Sequence, residues 1–272
     1  MKKWIRRTLI ILFAAIFLVS AGYVAYYFIN SHREAKAYAE LQNIKEQADT
    51  TRPTIGPEGE SPTPTPPNYA DVTDPETGET QQMLQQFQQL YEQNNDLVGW
   101  LEIPGTDINY PVMQTPDRPD YYLTRNFEKK YSAHGCLYAR EVCDVNKPSD
   151  NITIYGHKMR DGSMFGQLEY YQQKSFFQEN RYIYFDTLTE VHTYEIIAVF
   201  KTTATPGKGF AYHHFVNADN EEEFNEFVST CKELAFYDTG VTASYGDKLI
   251  TLSTCEYTQA NGRLVVVAKR VL

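Results

Sequence analysis

Eight short apolar runs in the C-terminal part of this chain constrain its fold more than any other feature. They read GWLEIP, INYPVMQ, GCLYAR, NITIYGH, RYIYFDT, VHTYEIIAVFKTT, DKLITLSTC and RLVVVAKRVL, with Gly, Pro, Asn and Asp between them. Runs of this length, rich in β-branched and aromatic residues and closed by turn formers, read as strands. Helical patches interrupt them at about 163–178 and at 220–236, NEEEFNEFVSTCKELAF. Many strands and few helices predict a mostly β fold, a mixed β-barrel with inserted helices, not an alternating β-α-β sheet. Ahead of the first run, QQMLQQFQQLYEQNNDLVGW carries Met83, Phe87, Leu90 and Tyr91 at helical spacing. The folded domain is therefore expected to start near Thr80 with a helix.

The N-terminus is of another kind. Lys2, Lys3, Arg6 and Arg7 precede Thr8–Ile29, 22 residues without a charge. A helix of that length crosses a hydrocarbon core about 30 Å thick. Basic residues ahead of it predict a cytoplasmic segment 1–7, a transmembrane signal anchor 8–29 and an exported remainder. VSAG at 19–22 offers a signal-peptidase alternative, but the apolar run continues past it through YVAYYFI. Residues 30–79 read as a polar stalk and a linker, and seven of the 13 prolines lie between 53 and 75. Such composition stays extended and builds no core. Residues 80–272 remain as the folded domain. The formal charge is −10 in spite of the basic start. The exported part is thus acidic, which argues against nucleic acid as a partner.

Four cysteines stand at 136, 143, 231 and 255. Outside the cell, Cys136 and Cys143 can pair across a loop. Cys231 falls at helical spacing among apolar residues and reads as core packing. No metal-ligand spacing occurs, and neither a metal nor another cofactor is expected. Three stretches can hold a reactive group. Cys255 ends the strand of TLSTCEY, where a thiolate can be exposed yet rigidly held. His157 ends the strand of NITIYGH and is the residue type suited to moving protons near neutral pH. Arg263 opens the next apolar run eight residues after Cys255, where a guanidinium can stabilise an oxyanion.

TLSTCEY, IYGHKMRDGSMFG, VGWLEIPGTDINYPVMQ and the Arg after the Cys together resemble the class B sortases over residues 80–272, anchor included. The resemblance implies a sortase-type mixed barrel with an N-terminal helix packed on it, preceded by a transmembrane helix. It implies a transpeptidase in which Cys255 attacks the Thr carbonyl of a C-terminal sorting motif of the NPxTx or xPxTG kind. His157 then shuttles protons and Arg263 holds the substrate carbonyl or oxyanion. Surface proteins bearing that motif and a peptidoglycan precursor amine are the implied partners. Ser253, Glu256, Leu123 and Tyr212 are the implied substrate-groove residues.

Three other readings compete. A pilus-polymerising sortase would use a pilin Lys amine, and DPETG at 74–78 looks like a sorting motif inside the linker. His134-Gly135-Cys136 is similar to part of the L,D-transpeptidase motif, but Ala133 stands where Ser or Thr belongs and the preceding His is His32. An inactive, membrane-tethered binding module would keep the fold without the chemistry.

Overall fold

The computed structural model describes residues 3–48, 68–73, 78 and 80–272. The chain divides into two compact units, Met1–Asn43 and Ile44–Leu272. Helix α1 runs from Lys3 to Gln47 without a break, so the expected span and the expected stalk are one helix. Among the described residues it is the one helix long and apolar enough to cross a membrane, and its apolar stretch is exposed.

The expected linker does not extend to residue 79. Tyr69–Thr73 (β1) pairs antiparallel with Thr80–Leu84 (β2), Thr73 opposite Thr80. Met83 thus belongs to a strand, and helix α2 spans Gln85–Gln93. The reason is local: Leu84 and Gln85 give their N–H groups to the carbonyls of Leu188 and Asn68, so the chain turns into the helix only after Leu84. Phe87 and Leu90 then bury its apolar face. DPETG, apart from Gly78, lies outside the described residues.

All eight apolar runs become strands: β3 (Leu97–Glu102), β4 (Asn109–Met113), β5 (Leu137–Ala139), β6 (Asn151–Tyr155), β7 (Tyr182–Thr187), β8 (Thr193–Thr203), β9 (Leu249–Glu256) and β10 (Gly262–Arg270). They close a barrel in the order β10-β8-β7-β3-β4-β5-β6-β9. Two pairings are parallel, β4 with β5 and β6 with β9, and the others are antiparallel. Helix α2 packs against β3. Strand side chains alternate between faces, so each strand contributes to two layers. Ile154, Leu252, Val266 and Val199 stand in register across four neighbouring strands and are buried on the inner face.

The outer face of β8, β10 and β9 is buried too. Phe200, Val265, Val267 and Leu249 form one cluster with Phe224, Phe227, Val228 and Cys231 of helix α4 (Glu221–Leu234) and with Tyr212 and Phe215. The helix forms here because Asn220 caps it through the Glu223 N–H at 3.0 Å, and three glutamates fill its first turn. A short helix α3 (Lys174–Glu179) follows a 3-10 turn over 166–172. All four cysteines are free, so the bridge considered for Cys136 and Cys143 is not formed. Both thiols are buried, and that of Cys143 donates to the Asn151 carbonyl at 3.5 Å.

Phe224 is completely buried beneath the outer layer. Phe224→Ala should cost roughly 3–5 kcal/mol, because the cavity cannot close over a rigid sheet. A urea unfolding midpoint that stays unchanged would show that α4 is not part of the cooperative unit.

Candidate active site

Strand register assembles the site. Cys255 on β9 stands directly opposite Arg263 on β10. Directly opposed side chains in an antiparallel pair share a face, so thiol and guanidinium lie on the same side of the sheet. On the other flank of β9, the parallel β6 sets Tyr155 beside Ser253. That pairing continues past the strand: the Gly156 N–H donates to the Ser253 carbonyl at 3.2 Å, and the Thr254 hydroxyl donates to the Gly156 carbonyl at 2.8 Å. His157 is carried level with Cys255.

The face carrying Cys255 is the outer one, buried along most of its length under α4 and Tyr212. At the strand ends this cover gives way, and Cys255 and Arg263 are half-buried where the other three cysteines are buried. Burial holds the thiols of Cys143 and Cys231 above their ordinary range. Cys136 is buried, at 1% exposure, where Cys255 is half-buried.

The imidazole and the guanidinium each have a holder. His157 Nε2 lies 2.7 Å from the Leu123 carbonyl oxygen. A carbonyl only accepts, so Nε2 carries a proton and Nδ1 is left to exchange one. The loop bearing His157 is folded back on itself by the Phe165 N–H on the His157 carbonyl at 2.9 Å and a bridge between Lys158 and Met164. Arg263 Nη1 donates to the carbonyls of Gly262 and Asn261 at 3.0 and 3.4 Å, which ties the guanidinium to its own turn.

The four expected groove residues separate into distinct roles. Ser253 is on the Cys255 face, and its hydroxyl lies 2.6 Å from the hydroxyl of Tyr212. Burial pushes the Tyr212 phenol up, so it stays protonated. These two form the buried floor beside the thiol. Leu123 also reaches the site, but through its backbone carbonyl; a backbone contact leaves no mark in the sequence. Glu256 does not join them. Strand β9 continues through it, so alternation turns it to the opposite face from Cys255. There it meets Lys201 at 3.2 Å and accepts from the backbone N–H and hydroxyl of Thr258. Its expected place in the groove came from the resemblance to the class B sortases, as a residue flanking Cys255. A side chain on Gly262 would run into the backbone carbonyl oxygen of Glu256, so a glycine is needed opposite it.

Sequence reasoning missed several neighbours. Tyr138, opposite Tyr155, donates to Asp120 at 2.8 Å, and its ring centroid lies 5.5 Å from that of Tyr155. Arg140 donates to the His213 carbonyl. The alternation of β5 was a signal for Tyr138; nothing local announced its partner.

Strand register brings a thiol, an imidazole and a guanidinium to one end of a closed eight-stranded barrel, residue types suited to covalent cysteine chemistry. A family model of the sortase domain matches residues 101–271. Sortase B of Staphylococcus aureus is 31% identical over 188 residues, covering 68% of this chain and 74% of that protein. Sortase B of Listeria monocytogenes is 34% identical over 197 residues, covering 71% and 76%. A crystal structure of sortase B from Bacillus anthracis matches with a TM-score of 0.68 at 32% identity, covering 90% of this chain and 99% of that one. The chain belongs to the sortase family of cysteine transpeptidases, and within it to class B.

Burial tends to raise the Glu256 carboxyl, but Thr258 and Lys201 outweigh it and hold the group below its ordinary value of 4.5. A depressed folded-state value stabilises the fold above the unfolded value. That contribution is fully present above about pH 4.5 and is lost as pH falls through the folded value. Glu256→Gln should therefore lower stability at pH 7 and shrink the difference from wild type under acid conditions. Parallel stability curves from pH 7 down to pH 2 would show that the carboxylate contributes nothing.

Proposed function

We propose that this sortase is held in the cell membrane by α1, with its N-terminus cytoplasmic and its catalytic domain outside. There it cleaves a C-terminal sorting motif of the NPxTx or xPxTG kind after Thr. The Cys255 thiolate attacks the Thr carbonyl, and the oxyanion forms on the face that carries Arg263. His157 gives a proton from Nδ1 to the leaving amine, the C–N bond breaks and a thioester remains. An amine of peptidoglycan then gives its proton to His157 and attacks the thioester; a new amide forms and the C–S bond breaks. Atoms and charge balance without a cofactor. The lines supporting this reading are the placement of Cys255, His157 and Arg263 at one end of the barrel, and likeness to a sortase B–substrate complex from Staphylococcus aureus at TM-score 0.70 and 25% identity. A similar structure is that of a sortase B complexed with triglycine, an observation in keeping with amine transfer.

The test offers the full-length chain in detergent a set of xPxTx peptides with a peptidoglycan-type amine or a Lys-bearing pilin peptide. Product masses should place the cut after Thr and show transfer to the peptidoglycan-type amine. Cys255→Ala should abolish both cleavage and transfer, and His157→Ala and Arg263→Ala should each slow them by about a hundredfold or more. Preferential transfer to the Lys peptide would move the assignment to pilus assembly. Cleavage that survives Cys255→Ala would refute the mechanism.

A further inference from the structure

His134 has no part in the chemistry above, yet the fold buries it at 3% exposure beside the loop that holds His157. Neither of its ring nitrogens has a hydrogen-bond partner among the described residues. A buried imidazole without partners costs stability, so its position calls for a compensating role. The nearest opposite charge is Asp161, whose Oδ2 lies 3.6 Å from His134 Nε2.

The two residues belong to the two arms that meet at the His157–Leu123 hydrogen bond. On the first arm, the segment 132–136 is laced to 122–124: Ser132 and Cys136 give their N–H groups to the Thr124 and Tyr122 carbonyls at 3.1 and 3.0 Å. Gly135, next to His134, has φ +60, and a Cβ there would lie 2.7 Å from the Leu123 oxygen. The segment therefore runs close beside the carbonyl that holds His157, a closeness that only a glycine permits. On the second arm, Asp161 is four residues beyond His157 in the same folded-back loop. Its Oδ1 accepts from the backbone N–H and hydroxyl of Ser163 at 3.1 and 2.6 Å, which fixes the carboxylate and aims Oδ2 at His134.

We infer that His134 and Asp161 form a clamp across these arms, a positioning pair that keeps His157 Nε2 on the Leu123 carbonyl and so leaves Nδ1 free for proton transfer. The inference rests on the assignment of His157 as the proton carrier. Other ionisable groups nearby are accounted for. Tyr110 of β4 feels Asp161 and accepts from the Met164 N–H at 3.2 Å; Lys158 is taken up by Glu169 at 2.6 Å; Cys136 is buried in the first arm.

The test compares wild type, His134→Gln, Asp161→Asn and the double variant, as full-length protein in detergent, with two readouts. One is kcat and KM for a cleaved peptide. The other is the rate of Cys255 alkylation by iodoacetamide against pH, which needs no substrate and is selective because the other three thiols are buried. Each single variant should lose about tenfold in kcat with little change in KM, since a catalytic group displaced by a fraction of an ångström loses rate before binding. The alkylation profile should shift along the pH axis, and the double variant should be no worse than the worse single one. If His134→Gln fails to fold, Asp161→Asn carries the test, because its carboxylate is partly exposed. Wild-type kcat and an unmoved alkylation profile in Asp161→Asn would overturn the clamp, as would additive losses in the double variant. If wild type cleaves no peptide, the sorting reaction is what fails, and the alkylation profile still decides on the clamp.

Discussion

The parallel pairing of β6 with β9 is the constraint on which the site depends. It joins segments 98 residues apart and sets Tyr155 beside Ser253, and so His157 beside Cys255. In a pleated ladder a slip of one residue moves every side chain to the other face. Such a slip would send the thiol into the barrel while the imidazole stayed outside. The register is protected by what lies upstream. Ile152 and Ile154 match Ile250 and Leu252 on the inner face, while on the outer face Thr251 donates to Asn151 at 2.7 Å. Both layers would be broken by a shift, so the core enforces the geometry of the chemistry.

The outer layer has a second use. Helix α4 and the Tyr212–Phe215 turn bury the outer face of β8, β10 and β9 up to the strand ends, and the same face then emerges from cover at Cys255 and Arg263. The thiol is therefore rigid on one side and open on the other. Of its neighbours, Ser253 is sealed under Tyr212, while Cys255, two residues further on the same face, is not. Cys255 is the accessible cysteine because of where the cover stops, not because of what flanks it in the chain.

The imidazole and the positive charge are both held by backbone carbonyls, His157 by Leu123 and Arg263 by Gly262 and Asn261. Neutral acceptors orient these groups without adding a carboxylate next to the thiol. The nearby carboxylates are turned to other partners: Glu256 to Lys201 and Thr258, Asp120 to Tyr138, and Asp161 to Ser163 and His134.

By itself, the sequence determined which segments are strands, where the outer helix lies, and that Cys255, His157 and Arg263 stand at or near the ends of their strands. Alternation, turn formers and helical spacing are local signals, and they carried the barrel; Cys255, His157 and Arg263 were singled out as a trio by the resemblance to class B sortases. The α2 boundary was misread because Met83 fits a helical period and a strand equally well, and its pairing with Ala70 decides for the strand. Strand β9 runs one residue past Cys255, and its pairing of Glu256 with Gly262 sets which way Glu256 faces. Only the tertiary structure could decide the parallel register, the burial of Cys136, the role of the Leu123 carbonyl and the meeting of His134 with Asp161. Each depends on contacts between distant segments, and a backbone atom carries no residue identity to be read in advance.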